Sequence, residues 1–229
     1  MLLAHTCHVQ DHPLDNPVWS SLASLHRGLA EHVGPLVRYP PDVAPFAAIE
    51  RTAPVTDETM RAVVRGETLM LGPVPELPAG WHAKSLGEIV QMVCDDRVDV
   101  PDGPAIVSLD DRADSVLELV ALVYPHYFRP RTMALGRYMG IFEGGRLAAM
   151  IGERMGMDGF REISAVCTHP EFLGRGLARR LLAHLGNDIF TSGATPFLHV
   201  SPSNARARAL YEANGYRVRR TISFWSLAQ

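Results

Sequence analysis

The chain has 229 residues, 47% of them hydrophobic, and 22 Lys and Arg against 25 Asp and Glu give a formal net charge of −3. That is enough apolar material for a sizeable core in one large domain or two small ones, and the charge makes no case for nucleic acid or an anionic membrane surface as partner. No apolar run approaches the roughly 20 residues of a membrane span, and no basic segment followed by an apolar core opens the sequence, so neither a membrane anchor nor a signal peptide is expected.

In chain order, His5, Cys7, His8 and His12 come first, but no CxxC or HExxH partner accompanies them and no metal site is expected. Asn16-Pro17 reads as a helix start, with Asn as cap and Pro at the first position, and Val18, Leu22, Leu25 and Leu29 follow at helical spacing. A short strand is expected over 46–49. Thr56 caps a second helix that carries Asp57 and Glu58 in its first turn. Residues 67–71 read as a strand, and Pro73, Pro75 and Pro78 make 72–80 a loop. Ser85 and Glu88 have capping-box spacing ahead of Ile89, Val90 and Val93, which predicts a helix there. The acidic stretch 95–104, with Pro101, Gly103 and Pro104, reads as a linker. The expected organisation is an N-terminal α/β unit over residues 1–100 and a second unit over 104–229.

The second unit begins with a strand over 105–109 and a helix over 112–124 that carries Val116, Leu119, Val120 and Val123 on one face. A short helix over 131–135 precedes a hairpin, 137–142 and 146–155, turning at Glu143-Gly144-Gly145. A strand over 160–168 leads into Gly174 and Gly176, after which Leu177, Leu181, Leu182, Leu185 and Ile189 recur at helical spacing. A strand over 196–200, a helix from Asn204 and a strand over 217–227 complete a mixed α/β sheet with helices on both faces. Cys7, Cys94 and Cys167 are odd in number and widely spaced, which fits a reducing cytoplasm. Cys167 alternates within its strand and reads as packed.

Chemistry concentrates between Val166 and Arg180. Two glycines at a strand-to-helix transition let main-chain N–H groups close on an anion at the positive end of the helix, and Arg175 and Arg179 add charge. The residues suit a diphosphate. The P-loop string G-x-x-x-x-G-K-[ST] does not occur, and the dinucleotide fingerprint fails because residue 179 is Arg where it needs glycine. Downstream, Asn204, Ala207 and Tyr211 lie at i, i+3 and i+7 on one helical stripe, polar, small and polar, which suits a face lining a ligand. Arg206, Arg208, Arg217, Arg219 and Arg220 crowd the same region, either as a solvated face or as attraction for phosphates.

The run Leu173-Gly174-Arg175-Gly176-Leu177-Ala178 resembles the acyl-CoA loop of the GNAT superfamily of N-acetyltransferases, Q/R-x-x-G-x-G/A, with Gly176 and Ala178 matching and Leu173 departing. Ser201 to Tyr216 is similar to that family's last helix motif, N-x-x-A-x-x-L-Y-x-x-x-G-[FY], at every spacing: Asn204, Ala207, Leu210, Tyr211, Gly215 and Tyr216. The resemblance covers roughly residues 104–229. The string from Gly140 to Pro170 looks like the branch related to glycine N-acyltransferase.

The resemblance implies a mixed, mostly antiparallel sheet flanked by helices, the GNAT fold, with the N-terminal α/β unit as either a degenerate copy or an unrelated cap. It implies an N-acyltransferase that moves an acetyl or short acyl group from acetyl-CoA to a primary amine, with a small molecule or amino acid as acceptor, in a cytoplasmic protein for which a homodimer is one admissible assembly. The pantetheine arm would lie beside Val166, Cys167 and Thr168, and the diphosphate would meet Leu173, Gly174, Arg175, Gly176, Leu177, Ala178 and Arg179. Asn204 and Ala207 would line the coenzyme, and Tyr211 would serve as general acid toward the leaving thiolate. Glu162 is the first choice of general base, because even spacing from Ser164, Val166 and Thr168 puts all four on one face of a regular strand. Glu153 is second and His126 third. The competing reading is a non-catalytic acyl-CoA-binding module that serves as sensor or scaffold.

Overall fold

A computed structural model of the chain describes residues 12–123 and 128–229. His5, Cys7, His8 and His126 therefore lie outside the described residues. Helix α1 (Pro17–Ala23) opens as expected on Pro17 and buries Val18 and Leu22. It stops early, because Ser24 turns back to bond the Ser21 carbonyl and Leu25 is left 51% exposed, with a 3-10 turn following at Arg27–Leu29. Three short strands, β1 (Glu31–Val33), β2 (Leu36–Arg38) and β3 (Ala47–Ile49), form a small antiparallel sheet. Helix α2 (Asp57–Val63) is capped by Thr56, whose Oγ1 accepts from the Thr59 N–H, and β4 (Thr68–Leu71) follows.

The expected helix at Ser85 is not formed. Strand β5 (His82–Cys94) runs through the capping-box residues, and Gly87 sits at φ 93°, outside helical space. Its apolar half is covered on both sides: Val90, Met92 and Cys94 enter one core, while Ile89 and Val93 meet another. A strand buried on both faces reads as an unbroken apolar run, which periodicity alone does not separate from a buried helix.

The remaining elements follow the expected order: β6 (Val107–Ser108), α3 (Ala113–Val123), a 3-10 turn at Thr132–Leu135, β7 (Tyr138–Glu143), β8 (Arg146–Met157), β9 (Phe160–Thr168), α4 (Leu177–Thr191), β10 (Thr195–Val200), α5 (Ala205–Glu212) and β11 (Tyr216–Ala228). Among the described residues they form an eight-stranded sheet of order β4-β11-β5-β10-β9-β8-β7-β6, in which only β9 and β10 run parallel. The sheet crosses the expected boundary near residue 100, since β4 and β5 belong to it and β5 pairs with both β10 and β11. The expected linker is docked rather than free: Asn187 on α4 bonds both the N–H and the carbonyl of Val98, and Arg180 donates to the Pro104 carbonyl. Helices α4 and α5 cover one face of the sheet, while α1 and α3 cover the other. No helix among the described residues is long and apolar enough to cross a membrane.

A buried knot ties α1 into the molecule. Tyr39 donates to Ser21 Oγ at 2.8 Å, Ser21 donates to the Gly156 carbonyl at 2.9 Å, and His26 Nδ1 lies 2.9 Å from Tyr39 Oη. Burial is the main force holding the His26 pKa below its ordinary value. The unfolded chain therefore takes up this proton first, and stability falls as pH drops through about 6.5 toward the lower folded value. Between pH 7.5 and 5.5 the melting temperature should fall by more in the native protein than in His26→Gln; equal losses in thermal denaturation would contradict this assignment.

Candidate functional site

Strands β9 and β10 are paired only from Phe160–Thr195 to Ile163–Leu198, and beyond that point they part. Ala165 lies at φ 51°, the one non-glycine residue among those described with a positive φ, and the pairing of β9 with β8 shifts register around it. This bulge reverses the alternation of side chains. Ile163 before it and Val166 after it both pack toward α4, whereas Glu162 and Cys167 face the opposite side. The Thr168–Ala149 and Cys167–Met150 register, with His169 N–H bonded to the Ala148 carbonyl at 2.9 Å, puts Cys167 in a hydrogen-bonded pair with Met150. By the same alternation, the N–H and C=O groups of Val166 and Thr168 point away from β8, into the gap where β10 has diverged.

The chain then turns through a 3-10 segment at Pro170–Phe172 into two left-handed glycines, Gly174 at φ 79° and Gly176 at φ 74°, the latter capping α4. Among the described residues no side chain caps this helix. The six consecutive N–H groups of residues 174–179 donate to no acceptor among the described residues. They open on a cavity of about 350 Å³, walled by Val166 and Thr168, by the 173–179 loop, and by Asn204, Ala207 and Tyr211 of α5. The structure thus brings together every expected coenzyme-binding residue except Cys167. The Cys167 side chain is packed under α3, and burial pushes its thiol up to about 12.

Several of these residues are partly committed. Asn204 Oδ1 caps α5 by accepting from the Ala207 N–H at 3.0 Å, which leaves its Nδ2 as the donor available to a ligand. Tyr211 is 8% exposed and packs on Tyr216, ring centroids 6.2 Å apart. Arg175 pairs with Glu143 at 2.7 Å and lies over the Phe172 ring at 5.0 Å. The arginine-rich segment divides: Arg208 pairs with Glu212, Arg217 with Asp95, and Arg219 and Arg220 both with Asp15. Arg206 instead lines the cavity. Sequence reasoning singled out no member of that group, because charge density does not say which side chains find acids elsewhere in the fold.

Glu162, expected as the general base, does not face the cavity: it shares one face with Ser164, Val166 and Thr168 only in a regular strand, and the bulge at Ala165 breaks that regularity. Glu162 is wholly buried on the face away from the cavity and takes four hydrogen bonds: from Arg154 Nε at 2.8 Å, Arg154 Nη2 at 2.5 Å, the Met155 N–H at 3.3 Å and His199 Nδ1 at 2.7 Å. Burial alone would raise its pKa, but the Arg154 charge and the bonds from Arg154 and His199 outweigh that and hold it below the ordinary carboxylate range. A carboxylate with its lone-pair sites filled and its proton affinity depressed is a poor base. It belongs instead to a buried polar row across five adjacent strands. Arg219 on β11 donates to Gln91 Oε1 on β5, which turns Gln91 Nε2 toward His199 Nε2 on β10 at 3.1 Å and leaves the His199 proton on Nδ1 for Glu162. Glu153, the second choice, is 7% exposed and bonded by Arg137 at 2.5 and 3.1 Å, also away from the cavity.

Comparison with known proteins places this geometry in context. Residues 138–226 match the FR47-like protein family. The chain is 36% identical to a GNAT-family protein from Novosphingobium aromaticivorans DSM 12444, covering 96% of this chain and 99% of that one with a TM-score of 0.85. A GCN5-related N-acetyltransferase from Kribbella flavida shares the fold at 19% identity, covering 91% and 93% of the two chains with a TM-score of 0.61. A stretch of 52 residues is 46% identical to the ribosomal protein bS18-alanine N-acetyltransferase of Salmonella typhimurium; it spans 22% of this chain and about a third, 35%, of that relative.

Proposed function

This chain belongs to the GNAT family of acetyltransferases, and from that premise we propose that it transfers an acetyl group from acetyl-CoA to a primary amine. The observation that carries the reading is the row of six N–H groups from Gly174 to Arg179 that have no acceptor among the described residues and open on a cavity beside the parted strands. Peptide donors fixed by two left-handed glycines at the positive end of α4 suit a diphosphate, whose charge they meet without reorganising. The exposed main-chain groups of Val166 and Thr168 suit an amide-bearing arm lying along β9, and an N–H there can polarise a thioester carbonyl.

In the reaction the amine nitrogen attacks the thioester carbonyl, the carbon–sulfur bond breaks, the thiolate leaves with the coenzyme and the amine loses its proton. Among the described residues Tyr211 supplies the phenol on the cavity wall. An ordinary phenol pKa near 10 lies above that of a thiol near 8.5, so its service is hydrogen-bonded stabilisation of the departing thiolate, with the proton following. No carboxylate or imidazole among the described residues lines the cavity, and we assign amine deprotonation to none of them. Tyr211→Phe should lower kcat by about 10- to 100-fold with little change in coenzyme affinity; an unchanged kcat in a steady-state thiol-release assay would remove Tyr211 from the chemistry.

Two likenesses bear on the acceptor. The likeness of the Gly140–Pro170 string to the glycine N-acyltransferase branch favours a small amine or amino acid, and the relative that acetylates a ribosomal protein's alanine favours a protein N-terminus. Free-thiol release from acetyl-CoA with panels of amino acids, polyamines and N-terminal peptides separates them. Binding of acetyl-CoA with no release above background across all panels would favour a sensor or scaffold that holds the coenzyme without turnover. The buried free thiols of Cys94 and Cys167 suit a reducing cytoplasm, and that compartment is part of the proposal.

A further inference from the structure

Two helix N-termini border the cavity, and both carry arginines but no acidic residue in their first turns: Arg179 and Arg180 on α4, Arg206 and Arg208 on α5. Cations there oppose the helix dipole. Two of the four are committed elsewhere, Arg180 to the Pro104 carbonyl at 2.9 Å and Arg208 to Glu212 at 3.4 Å. The other two, Arg179 and Arg206, line the cavity, are exposed, and form no ion pair among the described residues. Arg175, nearest the loop glycines in sequence, is held by Glu143 and stacked on Phe172. The cavity therefore has two uncommitted guanidinium groups on two different helices, one beside the 174–179 amides and one on α5.

A single diphosphate accounts for the first and not the second. The amides of residues 174–179 and Arg179 already supply a complete anion cradle on α4. Arg206 belongs to a separate element, and a fixed guanidinium fork is suited to a second, doubly charged phosphate held bidentately. Coenzyme A carries such a group, the monoester at the 3′ position of its ribose, and an acyl donor that ends at the diphosphate-linked adenosine does not.

We propose that Arg206 is a specificity-determining residue that recognises the 3′-phosphate of coenzyme A and so discriminates acyl-CoA from donors with the same pantetheine and diphosphate but no nucleotide monoester. The inference rests on the coenzyme A reading above. It has an economical chemical logic: the loop grips what every pantetheine-diphosphate donor shares, and α5 reads what only the complete coenzyme has. Arg206 is exposed, and its replacement leaves the core intact.

The test is titration calorimetry of the native protein and Arg206→Gln with coenzyme A and with dephospho-coenzyme A, circular dichroism confirming that both proteins fold. The native protein should bind coenzyme A about tenfold or more tightly than dephospho-coenzyme A, as loss of a charged hydrogen-bond pair implies. In Arg206→Gln that preference should shrink to under about twofold, through weaker binding of coenzyme A alone. Equal weakening of both ligands, or a preference that survives the substitution, would overturn the assignment of Arg206. A native protein that binds neither ligand would remove the coenzyme A reading itself, and this inference with it.

Discussion

Gly176→Asp should weaken binding of acetyl-CoA by about 100-fold or more while leaving a folded protein. Gly176 sits at φ 74°, and beyond its own stretch of backbone no atom of the described residues lies within 4 Å of where a Cβ would stand, so a side chain has room and the cost to the fold is the modest strain of a left-handed residue, which Asp and Asn tolerate better than most. The effect on binding is electrostatic. A carboxylate at the N-cap of α4 would stand among the six N–H groups proposed to meet the diphosphate, and like charges about 4 Å apart near a protein surface repel by about 4 kcal/mol. Gly176→Asn is the control, with the same shape, the same strain and no charge. It should retain most of the affinity. Similar losses for Asn and Asp in calorimetric titration would mean that loop geometry, not anion binding, is what Gly176 protects.

Glu162→Gln should destabilise the protein by about 3–5 kcal/mol, the range for breaking a buried ion pair by removing one partner. The substitution removes the carboxylate charge that pairs with Arg154, whose side chain is 18% exposed, and turns an amide N–H₂ against groups that all donate. Coenzyme affinity in the folded fraction should be unchanged, because the carboxylate faces away from the cavity. Urea denaturation measures the first and titration below the unfolding transition measures the second. A loss under about 1 kcal/mol, together with a collapse of kcat, would restore Glu162 to the reaction and contradict the structural role given to it here.

Much of the candidate site is legible in the residues because its determinants are local. Left-handed glycines, an amphipathic helix beginning directly after them, and a polar-small-polar stripe on α5 are short-range patterns, and the folded chain gathers Val166, Thr168, the 173–179 loop, Asn204, Ala207 and Tyr211 around one cavity. The acetyltransferase fold and family followed from the same two motifs. What escaped was long-range. Strand β5 hides its identity because its apolar half is covered on both sides, and nothing near Ser85 announces a partner more than a hundred residues away on β11. The bulge at Ala165 carries no sequence mark, since alanine is not a residue that favours positive φ, yet it decides which side chains face the cavity and which the opposite core. Which arginines stay free depended on Asp15, Asp95 and Glu143 arriving from distant parts of the chain.

On the proposed reading, the main-chain N–H groups of residues 174–179 hold the diphosphate of coenzyme A. A crystal structure of the protein soaked with acetyl-CoA is the decisive measurement. Density for both phosphates is expected within hydrogen-bond distance of those N–H groups, with the thioester end reaching toward Tyr211 in the gap between β9 and β10. Coenzyme bound with its diphosphate elsewhere on the molecule, and the 174–179 amides turned to solvent, would contradict it.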